Sequence, residues 1–582
     1  MSSSRAVYEF GPYRLDVGSR LLTRGPGEPV PLTPKAFDTL AVLLERHGRV
    51  VSKEELLEAV WPGVFIEEAT LTQNVYTLRK ALGEGSDESL YIQTVPRRGY
   101  RFAAPVASAA TTQAVALPVG APAKPAPRTI AVLPFAALGA DVDKDFLGLG
   151  MADAVITRLT HVRSLTVRAT SAVLRYVGQT PDPVTVGQDL AVDAVLEGTV
   201  QRAETRVRAT VRLVSVADGR VIWADKLDTV AADIFTLQDT LSERVADALR
   251  LELSAPERQG LSRRVTESTE AYQAYLRGRY FWDRRTEENL HKAITYFRQA
   301  LDRDPLYARA YAGLADSFVL LPLYGSASPR DAFPKAQEAA NRALDLDDEL
   351  AEAHTSLAYT RFFFDRHWDA AEASFLRALA ANPRYATAHH WYAFFLAARG
   401  RHEEARSHAL RAVELDPLSL VINADLAFVH YFARRSEEAL VQFGRTLELD
   451  PAFAYGHLGT ALALVEQGEF GAAVLAGERA VALSNSSFAL AALGRARALA
   501  ADAAGAEAVL RELDDRAQTQ HVQANYAALV LLALGRQADA LDRLEQAFEE
   551  GSHFVAFLKV WPVYDPLRGL ARFGELCERV GV

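Results

Sequence analysis

A chain of 582 residues with 49% hydrophobic residues and a formal charge of −10 is too long for one core, and the length alone divides it into about three or four domains. A single cysteine, Cys577, excludes an intramolecular disulfide framework and a four-cysteine metal site, which fits a reducing compartment. Residues 1–104 hold 13 Lys/Arg and 13 Asp/Glu, leaving 51 against 61 beyond them, so the acidic excess lies outside the N-terminal segment and any affinity of that segment for nucleic acid has to come from local clusters of cations. The N-terminus lacks the apolar stretch of a signal peptide, and the expected compartment is the cytoplasm.

Thr33-Pro34 offers an N-cap followed by proline at the first helical position, which predicts a first helix with Phe37, Leu40, Ala41 and Leu44 on one face. Ser52 followed by Glu55 is a capping box and predicts a short second helix over 53–60, stopped by Trp61-Pro62-Gly63. A third helix begins near Glu68. At about 100° per residue, Leu71, Val75, Leu78 and Leu82 form one apolar stripe, and the opposite face centres on Gln73 and Lys80 with Thr77, Tyr76 and Ala69 beside them. Arg79, Thr72 and Asn74 lie on its flanks. Gln or Asn bonds adenine bidentately, Thr meets a thymine methyl, and Lys or Arg reaches guanine or phosphate, so this face is chemically suited to a groove. An ordinary solvated helix face has the same composition. The hairpin over 91–102 tips the balance: its end places Arg97 and Arg98 beside Gly99, a basic tip suited to the minor groove or to flanking phosphates. A capped helix, a second helix with a polar outer face and a basic hairpin together make a winged helix-turn-helix, and its expected partner is double-stranded DNA.

Residues 103–128 carry ten alanines and five prolines and read as an extended spacer. Residues 103–123 are uncharged and follow three arginines. With one Leu, three Val and three Pro they favour a linker, although a membrane tether stays open as the weaker reading. From 128 to about 253 the pattern is mixed: TIAVLPF, a helix over DFLGLGMADAVITRLT, a strand LTVRATS, AVLEGTVQ, then VRATVRLVSV and VIWADKLD as a hairpin around Asp218-Gly219, and a closing amphipathic helix. Gly148-Leu149-Gly150 lacks the third glycine of a dinucleotide fingerprint and reads as a helix start.

Beyond about 268 the chain is helical and periodic. Pro383, Pro417 and Pro451 recur every 34 residues, the period of tetratricopeptide repeats, with small residues (Ala351, Ala358, Ala371, Ala378, Ala405, Ala412) where paired helices approach. Pro305 to Pro383 exceeds two periods by ten residues, and the surplus is expected in a loop near 321–330. Residues 560–582 read as a cap. His389 and His390 are adjacent on a helix and point in different directions, so they are not expected to form a metal site.

Residues 6–103 resemble the OmpR/PhoB-type winged-helix DNA-binding domain. The resemblance rests on the N-terminal strand sequence YEFGPYRLDVGSRLLTRG, Leu32-Thr33 at the start of the first helix, Leu-Arg-Lys-Ala-Leu at 78–82 and Gly-Tyr-Arg-Phe at 99–102. It implies that the third helix enters the major groove and the wing the minor groove, with DNA contacts at Thr70, Asn74, Tyr76, Thr77, Arg79, Lys80 and, in the wing, Thr94. The helical face adds Gln73 and Thr72, and the wing tip adds Arg97 and Arg98. It implies further that the loop after the second helix, with Trp61, Val64, Phe65 and Glu67, contacts RNA polymerase, and that the protein binds DNA as a homodimer. The family often carries arginines where this helix has Tyr76 and Thr77, and Val-Arg-Gly where this wing has Val95-Pro96-Arg97-Arg98. The layout is similar to CadC-type one-component regulators, and the middle segment to TolB N-terminal-like domains.

The expected architecture is therefore multi-domain: an α+β winged helix-turn-helix over 1–103, a linker over 104–127, a middle α/β domain over 128–254, and a C-terminal all-α tetratricopeptide-repeat solenoid with its cap over 268–582. The expected function is transcriptional regulation without enzymatic activity, cofactor or metal, the repeats sensing or recruiting a protein, peptide or small ligand. The rival is a repeat scaffold whose winged helix makes protein contacts only, favoured by the neutral charge of residues 1–104.

Overall fold

A computed structural model describes residues 7–17, 21–25, 28–30, 32–60, 68–82, 91–95, 98–104, 106–108, 127–137, 144–160, 162, 164–203, 206–230, 234–249, 266–324, 327–484 and 486–582. The chain forms two compact units, residues 1–123 and 124–582.

In the first unit, strands β1 (Val7–Phe10), β2 (Tyr13–Asp16), β3 (Leu21–Arg24) and β4 (Glu28–Pro29) form an antiparallel meander. Three helices follow, α1 (Pro34–Glu45), α2 (Lys53–Val60) and α3 (Glu68–Ala81), with the short β5 (Val50–Val51) between the first two. A hairpin of β6 (Ile92–Val95) and β7 (Gly99–Phe102) pairs with β5 in the order β5-β7-β6. A last strand, β8 (Ala107–Ser108), returns to β1 with Tyr8 opposite Ser108. These two residues fall within the stretch expected to be linker. They pair because β1 would otherwise leave an open edge of unbonded amides. Leu15, Leu22, Leu40, Leu44, Leu56, Leu71, Val75, Leu78, Ile92 and Phe102 fill one core under the three helices.

The second unit opens with a mixed sheet in the order β11-β9-β12-β13-β14, built from β9 (Thr129–Val132), β10 (Ala136–Ala137), β11 (Thr166–Val167), β12 (Ala194–Ala203), β13 (Arg206–Ser215) and β14 (Val221–Val230). The β11, β9 and β12 contacts are parallel, and β12-β13-β14 is an antiparallel meander turning through Gly219. Alternation decides the faces of β13: Val207, Ala209, Val211 and Leu213 are buried while Arg206, Arg208 and Arg212 face outward, ion-paired to Asp228 and Glu197. Helices α4 (Lys144–Leu159) and α7 (Ile234–Ala248) pack against one another, and two shorter helices, α5 (Thr170–Val173) and α6 (Pro183–Asp189), have no periodic signature in the sequence. The glycines at 148 and 150 serve packing. A Cβ at Gly148 would lie 1.9 Å from the Phe135 carbonyl oxygen, and one at Gly150 would lie 2.8 Å from Leu276.

From Thr269 to Glu550 the described residues form eight antiparallel helix pairs, the first Thr269–Asp283 with Glu287–Arg303 and the last Ala524–Ala533 with Gln537–Glu550. The six alanines read as close-approach positions are all buried. Around Phe297 of the first pair the same need is met by glycine: its ring would come 2.5 Å from a Cβ at Gly278 in the same pair or at Gly313 in the next. First helices of successive pairs start at Ala308, Ala351, Ala386, Leu420 and Ala454, so the ten surplus residues divide into nine before Ala351 and one before Ala386. The nine include the turn at 321–324. The one is absorbed by a π-turn, Arg361–Asp365, the usual accommodation of a single inserted residue. Two 3₁₀ segments, His553–Phe557 and Pro562–Leu567, and a last helix, Ala571–Val580, complete the chain.

The middle domain and the array share one continuous core. The Tyr272 hydroxyl donates to Gly150 O and to Asp153 Oδ2, each at 3.0 Å, and Arg384 donates to Val162 O at 3.1 Å. Arg168 reaches the carbonyl of Glu414, and Ser171 Oγ donates to Asp416 Oδ2 at 2.5 Å. Among the described residues no helix is long and apolar enough to cross a membrane; residues 109–126, the bulk of the suspected tether, lie outside them.

Candidate nucleic-acid interface

The two capping signals form as read. Thr33 Oγ1 accepts from the Ala36 amide, and Ser52 and Glu55 exchange hydrogen bonds, Ser52 N to Glu55 Oε2 at 2.9 Å and Glu55 N to Ser52 Oγ at 3.1 Å. The Ser52 amide holds the Glu55 carboxyl below its ordinary range, and Arg49 and Arg46 add to the effect. These caps fix where α2 starts and, through the turn after it, how α3 is presented.

Helix α3 is held at both ends. Its apolar stripe, Leu71, Val75, Leu78 and Leu82, is fully buried against the core. At its C-terminal end the Tyr13 hydroxyl donates to Leu82 O at 2.9 Å, tying it to the N-terminal sheet. Phe10, Tyr13, Tyr91 and Phe102 continue this contact as an aromatic cluster, with Phe10 and Phe102 edge to face at 5.0 Å, so the sheet also steadies the base of the wing. Gly99 opens β7 at φ +137°, where a Cβ would lie 2.0 Å from Val51 O, so the wing lies directly on β5.

On the outward side of α3, Thr70, Thr72 and Lys80 are exposed and Tyr76 is 62% exposed, while Thr77 is half-buried beside them. Gln73 belongs to the helix, but its side chain lies outside the described residues. Two flank residues are engaged within the protein. Asn74 Nδ2 donates to Thr39 Oγ1 on α1 at 3.3 Å. Arg79 donates from Nη2 to Ile92 O at 2.7 Å and to Thr94 Oγ1 at 2.8 Å, so it braces the recognition helix against β6. Thr94 is exposed on β6 and Arg98 is exposed at the turn, where its amide donates to Val95 O at 3.0 Å. Arg97 and the loop residues Trp61, Val64, Phe65 and Glu67 lie outside the described residues.

The structure thus brings Thr70, Thr72, Tyr76 and Lys80 onto one solvent-facing surface, with Thr94 and Arg98 on the adjoining wing. Periodicity alone finds this face. It misses the brace and the Tyr13 anchor, because both depend on partners 13 and 69 residues away. His389 and His390 diverge, the first toward His408 and the second toward Asp425.

Residues 27–102 match the family described as transcriptional regulatory protein, C terminal, and residues 126–244 match the second domain of HilA/YgeH-like transcriptional regulators. Residues 275–327, 360–419 and 425–488 match the tetratricopeptide repeat. The transcriptional regulator HilA of Salmonella typhimurium is 24% identical over 413 residues, 71% of this chain and 71% of that protein. A protein of Rhizobium meliloti named as an adenylate cyclase is 31% identical over 239 residues, and this chain spans 40% of its length. The transcriptional activator CadC of Escherichia coli is 36% identical over 81 residues, 14% of this chain and 16% of that protein. With its three matches in this order, the chain is a DNA-binding transcriptional regulator of HilA/CadC-like layout, its winged helix of the OmpR/PhoB type.

Proposed function

We propose that α3 reads the major groove through Thr70, Thr72, Gln73, Tyr76, Thr77 and Lys80, with Asn74 turned to α1, while the wing contacts the minor groove or flanking phosphates through Thr94, Arg97 and Arg98. Arg79 fixes the angle between the two. The observation that carries this reading is the outer face of α3: Tyr76 and Lys80 stand free on it, directly opposite a stripe that is wholly buried. A polar, partly aromatic face held rigid by its opposite side is suited to base edges and thymine methyls. In this reading the protein acts from the cytoplasm as a homodimer on DNA, the loop with Trp61, Val64, Phe65 and Glu67 meets RNA polymerase, and the repeats sense or recruit a partner. Neither catalysis nor a cofactor is part of it.

Selection of bound duplexes from a random pool by residues 1–123, a compact unit with its own core, tests the central claim. The expected result is enrichment of a half-site repeated at about one helical turn, with affinity falling steeply as salt rises. A folded fragment that enriches nothing would sink sequence reading and favour the rival, a repeat scaffold whose winged helix makes protein contacts only.

A further inference from the structure

The inner side of the repeat array, with Ser171, Leu174 and Arg175 of the middle domain, borders an open cleft of about 2220 Å³. The first helices of successive pairs line it, and His553, Phe554 and Phe557 of the C-terminal segment border it. Three charged residues that line it, Asp416, Asp425 and Arg285, have hydrogen-bonding capacity unused, and Asp416 is already taken up by Ser171 of the middle domain. Asp425 is only 8% exposed. Its Oδ2 accepts from His390 Nε2 and the Tyr455 hydroxyl lies within hydrogen-bonding reach of the carboxylate, while Oδ1 has no partner of good geometry. On another wall, the Arg285 guanidinium lies 3.9 Å from the centre of the Trp282 ring and in the field of the Asp283 carboxylate, with no side-chain hydrogen bond to an acceptor among the described residues.

A buried carboxylate oxygen left unbonded costs several times what an ordinary hydrogen bond contributes, so its persistence calls for an explanation. The surroundings supply one. Tyr324, Tyr359 and Trp391 line the same cavity, the last two with ring centres 4.6 Å apart. Both tyrosine hydroxyls stand in the fields of Arg285 and Asp425: burial, offset by the first and reinforced by the second, pushes Tyr324 up to about 12 and moves Tyr359 the same way. Both stay protonated and able to donate. A ligand that was only a cation would be repelled by Arg285, and one that was only an anion would be repelled by Asp425.

We propose that this cavity binds a small zwitterion, a free amino acid of the α or ω type with an apolar body, its ammonium beside the Asp425 carboxylate against the Tyr359 and Trp391 rings and its carboxylate on Arg285. The chemistry is that of an ammonium held by a carboxylate and aromatic faces, and of a carboxylate held by a guanidinium fork. The proposal rests on reading the array as the sensing part of the regulator.

Calorimetric titration of the full chain with the twenty L-amino acids, 4-aminobutyrate, 6-aminohexanoate, phenethylamine and 3-phenylpropionate tests it. At least one amino acid is expected to bind saturably. Asp425→Asn and Arg285→Gln should each weaken that binding at least tenfold, and the amine-only and acid-only probes should not compete. Arg285 is partly exposed, so its variant should fold even where the buried Asp425 is sensitive. The proposal is overturned if no amino acid binds, if the folded Arg285→Gln protein binds unchanged, or if phenethylamine binds as tightly as its parent amino acid, which would make the site one for cations. Duplex binding by the same preparation without added ligand reports on the winged helix alone, so failure of the DNA reading and failure of the cavity are read separately.

Discussion

Arg79 and Lys80 are neighbours in sequence with the same charge, and the structure gives them different work. Lys80 projects from α3 into solvent, whereas the Arg79 fork is engaged by Ile92 O and Thr94 Oγ1 across to the wing. Removing Lys80 deletes one potential phosphate or guanine contact and disturbs no packing. Lys80→Ala is therefore expected to leave the unfolding midpoint of residues 1–123 unchanged, to weaken duplex binding, and to lower the slope of log affinity against log salt by about one counterion if the contact is to phosphate. Arg79→Ala leaves a carbonyl without its donor and frees the angle between helix and wing, so it should cost on the order of 1–2 kcal/mol of stability as well as affinity. Lysine cannot reproduce a fork shared between two acceptors, and Arg79→Lys should recover charge but not the stability. Urea unfolding beside salt-dependent binding separates the two effects. Equal loss of stability in both alanine variants would remove the brace from the account.

At the scale of elements, the contact between α5 and the repeat helix His402–Leu415 turns on one buried acid just beyond that helix. Asp416 is buried, accepts from Ser171 Oγ and lies in the field of Arg168. Burial pushes its carboxyl from the ordinary 3.8 up to about 7, with the Ser171 hydrogen bond opposing, Asp283 adding to the rise and Arg168 opposing. Below about pH 4 the group is protonated folded or unfolded, and it costs nothing. Between 4 and 7 the unfolded chain releases the proton while the folded chain keeps it, so folding loses ground on the order of 1.4 kcal/mol for each pH unit. Above 7 the whole penalty is present. Asp416→Asn keeps an acceptor for Ser171 without a charge, so it should melt higher than the parent chain at pH 8, with the gain vanishing near pH 4. Thermal unfolding across that range decides it, and an unchanged midpoint at pH 8 would mean that Arg168 holds the carboxylate ionised. No sequence reading could reach this contact, because Ser171 and Asp416 are 245 residues apart and neither carries a local signal. What was legible is local: the Thr33 and Ser52 caps, the outward face of α3, the alternation of β13, the 34-residue step and the small residues it repeats. The short strands β5 and β8 were not, since two residues hold no pattern until a partner strand is beside them. Nor was the division of the ten surplus residues, because one inserted residue disappears into a π-turn while the periodic pattern resumes after it. The outer face of α3 was legible to the same limit: periodicity shows which residues point outward, but that Asn74 and Arg79 turn back to Thr39 and to β6 depends on elements far along the chain.

In the second unit as a whole, the end of the array returns to its middle. At the turn after the first helix of seven of the eight pairs a described residue occupies the left-handed region, and two of the four that are not glycine, Arg366 at φ 56° and Arg434 at φ 65°, spend their side chains on the C-terminal segments. Arg366 donates to Phe548 O and lies over the Phe548 ring, and Arg434 forms a fork with Asp565. Arg399 reaches Gly581 O and Trp368 Nε1 donates to Val580 O at 3.1 Å. Surface ion pairs of this kind contribute little each, so the weight must be carried elsewhere. It is carried by burial: Leu558, Trp561, Val563, Tyr564 and Leu567 are inaccessible, and the Phe557 ring stacks on Phe432 at 4.7 Å while meeting Phe362 and Phe394 from two other repeats. A fully buried large apolar side chain contributes about 1.5–3 kcal/mol, so five or six of them outweigh the total stability margin of many domains. Ending the chain at Glu550 should therefore do more than shorten it. The aromatic rings of three repeats would face water, and the expected outcome is a lower and broader thermal transition of the array, binding of a hydrophobic dye, and self-association at micromolar concentration. Residues 1–123 have a separate core and should keep their own transition. If the shortened chain unfolds at the temperature of the full one, the terminal segment is an appendage, and the array is held by nearest-neighbour contacts between repeats alone.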